Sequence, residues 1–312
     1  MTVPDHDWLE RLGPWPDGVR ARVWDLSGPA GDLGEDAGRV AVVVLPYLRP
    51  EMALERVADL PRVRLVQAMT AGYEGIAERL PAGVALANAA GVHDASTSEL
   101  AVGLLLASQR GIDVAARDVV ERRWRPEPRR SLADRRVLLL GVGGVGAAVA
   151  RRLEPFEVSV TRVASRARRD DLTDRFGPVH GVDELSGLLP GHDAVVLACP
   201  LTAATRGLID AAALAAMPDD ALLVNVARGP VVVTDDLLAE LSTARLRAAL
   251  DVVDPEPLPP EHPLWRAPGL LLTPHVGGAT DAMAPRLRAL VQAQLQALLS
   301  GRPPGSVVRA AR

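Results

Sequence analysis

Arg136-Val-Leu-Leu-Leu140 runs without a break into Gly141-Val-Gly-Gly-Val-Gly146 and then Ala147-Ala-Val-Ala-Arg-Arg-Leu153. The first block predicts a buried strand and the last a helix from about Val145 to Leu153. Between them stands G-x-G-x-x-G. Its first glycine permits a tight turn, the second lets an anion approach the backbone, and the third lets helix and strand pack closely. The helix start offers free N–H groups and the positive end of its dipole. Read as packing alone, such glycines only close a βα turn. The strand before and the helix after point instead to dinucleotide binding, with Gly141, Gly143, Gly144, Val145 and Gly146 as the cofactor-binding candidates.

The next strand, Val158 to Ala164, bears on which dinucleotide. An NAD site places an acid near this strand end to hold the ribose hydroxyls. Here Ala164 stands at that point, followed by Ser165-Arg-Ala-Arg-Arg169. A carboxylate would repel a 2′-phosphate, whereas Ser165, Arg166 and Arg168 can hydrogen-bond one. NADP(H) is therefore preferred over NAD(H), which stays possible: the segment can also be read as a solvated basic loop, and Asp170 and Asp171 could soften the preference.

Outward from the motif, the chain alternates strands and helices. Upstream, Val40–Leu45, Val63–Ala68 and Val84–Ala87 read as strands, with helical spacing over Glu51–Leu60. Asp94-Ala-Ser-Thr97 offers helix N-caps, and one long helix is expected from Glu99, continuing towards Glu121. Arg122–Asp134, rich in Arg and Pro around Trp124, reads as a surface loop. Downstream, strands are expected at Asp193–Ala198, Ala221–Val226, Ala248–Val253 and Leu270–Thr273. Helices are expected at Asp210–Met217, Thr234–Leu241 and Ala284–Ser300. The last is apolar at Leu287, Leu290, Val291, Leu295 and Leu298. The fold class is α/β, with two doubly wound units.

The 312 residues suit two domains. With 48% apolar and 24% charged residues, the chain reads as an ordinary globular protein. Its net charge of −4 argues against nucleic-acid or anionic-membrane partners. All 35 basic residues are arginine. Without lysine there is no Schiff-base chemistry and no Walker-type phosphate loop. The single cysteine, Cys199, forbids an intrachain disulfide and argues against a cysteine-based metal cluster. The longest apolar run, Val137–Ala150, is too short and glycine-rich for a membrane span. Met1–Glu10 lacks the pattern of a signal peptide. A cytoplasmic protein without a metal is expected.

Three more strand ends carry polar groups: Asn225-Val-Ala-Arg-Gly229, Asp251-Val-Val-Asp-Pro-Glu-Pro257 and Thr273-Pro-His-Val-Gly-Gly278. Open parallel sheets bind ligands at the carboxyl ends of their strands. Arg228, Glu256 and His275 fit hydride transfer between a nicotinamide and a 2-oxo acid. Arg228 can hold the carboxylate and the developing alkoxide. His275 can be general acid in reduction and base in oxidation. Glu256 would stabilise the imidazolium and fix its tautomer. Taken singly, the arginine could be a surface ion-pair partner and the glutamate merely solvated. Among six histidines only His275 follows an apolar strand and precedes Gly-Gly. His192 precedes its strand, and His93 is the reserve. Cys199, with no evident base, would line the cofactor cleft.

These motifs, in this order and spacing, resemble the D-isomer-specific 2-hydroxyacid dehydrogenase family, and in look its NADP-preferring glyoxylate/hydroxypyruvate reductases. The resemblance implies Arg228, Glu256 and His275 as the catalytic set. It implies Cys199, Pro200, Thr205, Val226, Ala227, Asp251 and Gly277 at the cofactor, with Asp251 on the nicotinamide carboxamide. Ala71, Gly72 and Tyr73 look like a substrate loop whose N–H groups receive the carboxylate, alongside Arg228 and His275. A Rossmann nucleotide-binding domain (96–284) is then inserted into a flavodoxin-like substrate domain (1–95 plus 285–312), and Arg22–Trp24, with Trp8 and Trp15, forms an irregular edge of it. A homodimer through the nucleotide-binding domain is implied, with the long helix as interface. Glu157 departs from a common glycine, Val253 from a common phenylalanine, and Tyr73 adds bulk beside the carboxylate site. The expected activity is reduction of a small 2-oxo acid to a D-2-hydroxy acid. The alternatives are a nucleotide-sensing protein like the family's corepressors and a phosphonate- or formate-oxidising relative. Glu256 argues against the formate branch, which pairs its histidine with glutamine.

Overall fold

The computed structural model describes residues 1–47, 53–170 and 172–310. Glu51, Met52 and Asp171 fall outside the described residues. The chain forms two compact units, Met1–His93 with Thr280–Arg312, and Asp94–Ala279.

The first unit holds a six-stranded sheet. Its strands are β1 (Thr2–Val3), β2 (Arg22–Val23), β3 (Val42–Val44), β4 (Leu65–Gln67), β5 (Ala85–Ala87) and the C-terminal β13 (Val307–Arg309). They lie in the order β13-β5-β4-β3-β1-β2. All pairs are parallel except β13 on β5. Successive residues of a strand face opposite sides. Val42, Val44 and Leu65 therefore pack with Leu12, Leu287, Val291 and Leu295, while Val43, Val66 and Leu86 pack with Leu54 and Val57. The last helix, Met283–Leu299, thus buries its expected stripe within this unit.

The second unit holds β6 (Arg136–Leu140), β7 (Ser159–Ala164), β8 (Val179–Gly181), β9 (Ala194–Leu197), β10 (Leu222–Asn225), β11 (Arg247–Leu250) and β12 (Leu270–Leu272). The order is β12-β11-β10-β9-β6-β7-β8, parallel throughout. Val137 and Leu139 face the helices Asp94–Arg110 and Gly144–Leu153, whereas Leu138 and Leu140 face Leu185, Leu214, Leu237 and Leu241. Chain order reverses between β6 and β9, a topological switch point of the kind that binds ligands.

The structure corrects several expectations. The helix expected to run on from Glu99 is two helices, Asp94–Arg110 and Ile112–Val120, because Gly111 between them has φ +62°. Asp94 to Thr97 lie inside the first of these rather than capping it, and the Ser98 hydroxyl bonds back to the Asp94 and Ala95 carbonyls. Around Glu51–Leu60 the described part is a 3₁₀ helix, Leu54–Asp59. Arg22–Trp24 is not wholly irregular, since Arg22 and Val23 pair with Thr2 and Val3 at the sheet edge. The four strands missed in sequence, β1, β2, β8 and β13, are short edge or near-edge pairings. Among the described residues, no helix is long and apolar enough to cross a membrane.

Candidate active site

Because every strand of the second sheet is parallel, the loops after β6, β7, β9, β10, β11 and β12 share one edge. The glycine turn opens it. Gly141 has φ +108°, and a Cβ there would stand 2.5 Å from the Ala198 backbone at the end of β9. A Cβ on Gly146 would fall 1.9 Å from the Gly141 carbonyl oxygen, so helix and turn require this glycine to touch. A Cβ on Gly143 would meet nothing within 4 Å. That side is open, and no side chain caps the first turn of the helix that begins at Gly144, followed by Val145. The cradle fits a dinucleotide pyrophosphate. Beside it lies the Asp94 carboxylate, in the space a side chain at Gly144 would need.

Ser165, Arg166 and Arg168 follow β7 and are exposed. Arg168 is held through its backbone, which exchanges hydrogen bonds of 2.9 and 2.8 Å with Val179. Asp170 does not stand open to a phosphate. Both its oxygens accept from Arg162 Nη1, at 2.8 and 2.9 Å, and the Arg162 side chain is only 1% exposed. Burial pushes the Asp170 carboxyl up, but the Arg162 hydrogen bond and charge and the Leu172 N–H outweigh it and hold it below its ordinary value. Of the two carboxylates expected to soften phosphate binding, Asp170 is neutralised by Arg162, and Asp171 lies outside the described residues.

After β9, Cys199 is buried, and burial pushes its thiol up to about 11. It stays protonated at neutral pH, as befits a lining residue and not a nucleophile. Thr205 shapes the loop: its hydroxyl donates to the Pro200 carbonyl at 2.7 Å and accepts from the Thr202 N–H at 2.8 Å.

The β10 turn is fixed by Asn225, which sequence reasoning left without a role. Its Oδ1 accepts from the Ala227 N–H at 3.0 Å and its Nδ2 donates to the Arg228 carbonyl at 3.0 Å. Val226 and Ala227 are buried against the sheet, and the Arg228 guanidinium donates to the Ala227 carbonyl at 2.7 Å. A fully buried asparagine at a strand end was the available signal.

Asp251, at the end of β11, organises the histidine turn. Its Oδ1 accepts from Thr273 Oγ1 at 2.7 Å and the Val276 N–H at 2.9 Å, and its Oδ2 accepts from the Gly277 N–H at 2.9 Å. Its backbone carbonyl takes the His275 N–H at 2.8 Å. A Cβ on Gly277 would lie 2.9 Å from Asp251 Oδ2, so this carboxylate needs the glycine. His275 is held with φ +52°, and its Nδ1 hydrogen-bonds Glu256 Oε1. Both side chains stay partly exposed. Nε2 is then the ring nitrogen left for a ligand. The edge therefore brings together a fixed guanidinium turn, an oriented imidazole and a carboxylate partner, a set able to bind a carboxylate and exchange a proton.

Other histidines serve the fold. His192 bonds the Leu188 carbonyl at 2.7 Å and Thr161 Oγ1 at 2.8 Å. His262 accepts from the Leu264 N–H, and His180 pairs with Glu184. His93, the reserve, is buried with its Nε2 on the Met69 carbonyl at 2.7 Å. The loop with Ala71, Gly72 and Tyr73 follows β4 in the first unit; Ala71 and Tyr73 are exposed and Gly72 half-buried. Among the described residues, no group of three His, Cys, Asp or Glu could hold a metal ion.

Residues 102–277 match the model of the D-isomer specific 2-hydroxyacid dehydrogenase NAD-binding domain. The chain is 33% identical over 275 residues to a glyoxylate reductase of Thermofilum pendens, covering 85% of this chain and 80% of that one. It is 31% identical over 297 residues to the human glyoxylate reductase/hydroxypyruvate reductase, covering 92% and 90%. Its fold is similar to a D-isomer specific 2-hydroxyacid dehydrogenase from Xanthobacter autotrophicus Py2 solved with NADPH and MES. There the TM-score is 0.82 and the identity 29%, over 97% of this chain and 93% of that one. The chain belongs to the D-isomer specific 2-hydroxyacid dehydrogenase family and is an NAD(P)-dependent oxidoreductase.

Proposed function

We propose that this protein is an NADP(H)-preferring reductase of small 2-oxo acids, glyoxylate and hydroxypyruvate above all, forming glycolate from the first and a D-2-hydroxy acid from the second. The observation that carries the reading is the Glu256–His275 pair at the sheet edge that also bears Arg228. Bound NADP(H) supplies the hydride. Arg228 holds the carboxylate and the carbonyl oxygen, and its fixed charge stabilises the alkoxide as it develops. His275 donates the Nε2 proton to that oxygen and regains one from solvent. Glu256 keeps the imidazole turned and balances its charge in the protonated state. Asp251 and the Gly277 N–H hold the turn that would flank a bound nicotinamide, and Val226, Ala227, Cys199 and Pro200 would line its place. Ser165, Arg166 and Arg168 take the 2′-phosphate, and Gly141 to Gly146 the pyrophosphate. Ala71, Gly72 and Tyr73 receive the substrate carboxylate.

A homodimer through the second unit fits the same reading. Val119, Val120 and Trp124, at the end of the Ile112–Val120 helix and just beyond it, are 76%, 83% and 91% exposed. A second copy would cover them.

The test is to follow reduced-cofactor loss with glyoxylate, hydroxypyruvate, pyruvate and phenylpyruvate. NADPH-dependent turnover of the smaller acids, well above that with NADH, is the expected result. Tight nucleotide binding without turnover of any 2-oxo acid would favour a sensing role.

A further inference from the structure

The loop that follows β4 has an unusual distribution of spent and unspent backbone groups. The Met69 carbonyl accepts from His93 Nε2 at 2.7 Å. The Thr70 carbonyl accepts from the Ala89 N–H at 2.9 Å. The Ala71 carbonyl accepts from Asn88 Nδ2 at 2.7 Å, and the Gly72 carbonyl from the Thr70 hydroxyl at 2.7 Å. Four consecutive carbonyls are therefore tied down. Among the described residues, the N–H groups of Ala71, Gly72 and Tyr73 donate to nothing.

The two facts are linked. In a planar trans peptide, the carbonyl of one residue and the N–H of the next point in opposite directions. Fixing the carbonyl of residue 70, 71 or 72 therefore fixes the N–H of the residue that follows it, 71, 72 or 73, on the opposite side of that peptide. The clamps are themselves immobilised. Asn88 and His93 are 9% and 6% exposed. The Asn88 amide is oriented by the Ala90 N–H, which donates to its Oδ1 at 3.3 Å, and the Asn88 carbonyl accepts from Gln67 Nε2 at 3.0 Å. Gln67 in turn accepts from Gln294 Nε2 at 3.1 Å. The His93 ring stacks on Tyr47 with centroids 6.0 Å apart.

We infer that Asn88 and the Thr70 hydroxyl are positioning residues. Together with the Ala89 N–H on the Thr70 carbonyl, they hold the N–H groups of Ala71, Gly72 and Tyr73 in fixed orientations before any substrate arrives, and so set the enzyme's preference for a carboxylate over a neutral group at that place. The inference rests on the proposed role of this loop. Oriented amides form anion-binding concavities. Orienting them beforehand removes the entropic cost of ordering them on binding. Without the Asn88 amide, the 71–72 peptide is free to turn its N–H away.

The test compares glyoxylate with methyl glyoxylate, which keeps the aldehyde and lacks the charge. Asn88→Ala should raise KM for glyoxylate about tenfold or more, the worth of a charge-assisted hydrogen bond. It should leave KM for the ester and the NADPH affinity near wild type. Thr70→Val, nearly isosteric, should act in the same direction and guards against a misfolded Asn88 variant. Independently of turnover, titration with glyoxylate should shift the amide resonances of Ala71, Gly72 and Tyr73 in the wild type. Equal losses for both substrates in the variants, or unmoved amide resonances, would overturn the inference. A wild type that shifts these amides yet reduces no 2-oxo acid would overturn only the reductase reading.

Discussion

The His275 imidazole and the Glu256 carboxylate meet through an Nδ1–Oε1 hydrogen bond, although the two residues stand on loops that follow different, adjacent strands. The contact leaves Nε2 as the nitrogen that can face a substrate. His275→Ala should lower kcat for 2-oxo acid reduction by about 10²–10⁴-fold, the usual worth of general acid–base catalysis. Nucleotide affinity should stay within a few-fold of wild type. Steady-state kinetics with fluorescence titration of NADPH checks both. Glu256→Gln should fall between the two enzymes, since an amide still holds the ring but not its charge.

Cofactor choice should follow the β7 end. With Asp170 engaged by Arg162, the exposed Arg166 and Arg168 set the local charge and Ser165 adds a hydroxyl donor. Arg166→Ala should weaken NADPH about tenfold and leave NADH unchanged. Ala164→Asp should move the preference towards NADH. The ratio of kcat/KM for the two cofactors is the readout.

Asp170 also carries a stability prediction. Asp170→Asn would leave the Arg162 guanidinium buried without its anion, at a cost of roughly 2–3 kcal/mol. Because the Asp170 carboxyl is held below its ordinary value, its contribution is present above the unfolded carboxylate range and disappears as pH falls through the folded value. His192 adds to the acid side. Burial is the main reason that its ring is held below the ordinary histidine value, so the unfolded chain binds the proton more readily. Stability should fall as pH drops below about 6.5. His192→Gln should flatten that part of the pH dependence in urea-unfolding curves.

Glu157 adopts φ +58° just before β7, in the left-handed region that costs a non-glycine residue about 1–2 kcal/mol. Glu157→Gly should raise the thermal midpoint, with a net gain of about 1 kcal/mol after the extra freedom of the unfolded glycine is counted. Calorimetry would show a midpoint at or below wild type if the turn tolerated glutamate without strain.

Trp124 is 91% exposed, with Val119 and Val120 nearby. If a second copy covers this surface, Val120→Glu should shift the sedimenting species towards monomer. An unchanged species would remove this surface from the proposed interface.

The parallel sheet, the glycine turn and the edge residues were legible because each depends on local pattern. Arg136–Leu140 is a strand with the expected ends, Gly141 and Gly146 each show a distinct steric reason to be glycine, and a Cβ on Gly143 would meet open space. The Glu256–His275 contact was legible because parallel topology fixes which loops share an edge. The supporting groups were not. Asn225, Arg162 and Asn88 act through carbonyls and carboxylates up to 17 residues away, and nothing in the spacing of single polar residues announces such a partner. Gly111 was read through because the apolar pattern continues on both sides, while its φ of +62° ends the helix.

The most direct test of the account is product analysis with glyoxylate and NADPH, run in parallel on the wild type and His275→Gln. The wild type should form glycolate in amounts equal to the NADPH consumed, and the variant should lose at least about a hundredfold in rate. Glycolate formation that survives His275→Gln at the wild-type rate would contradict it.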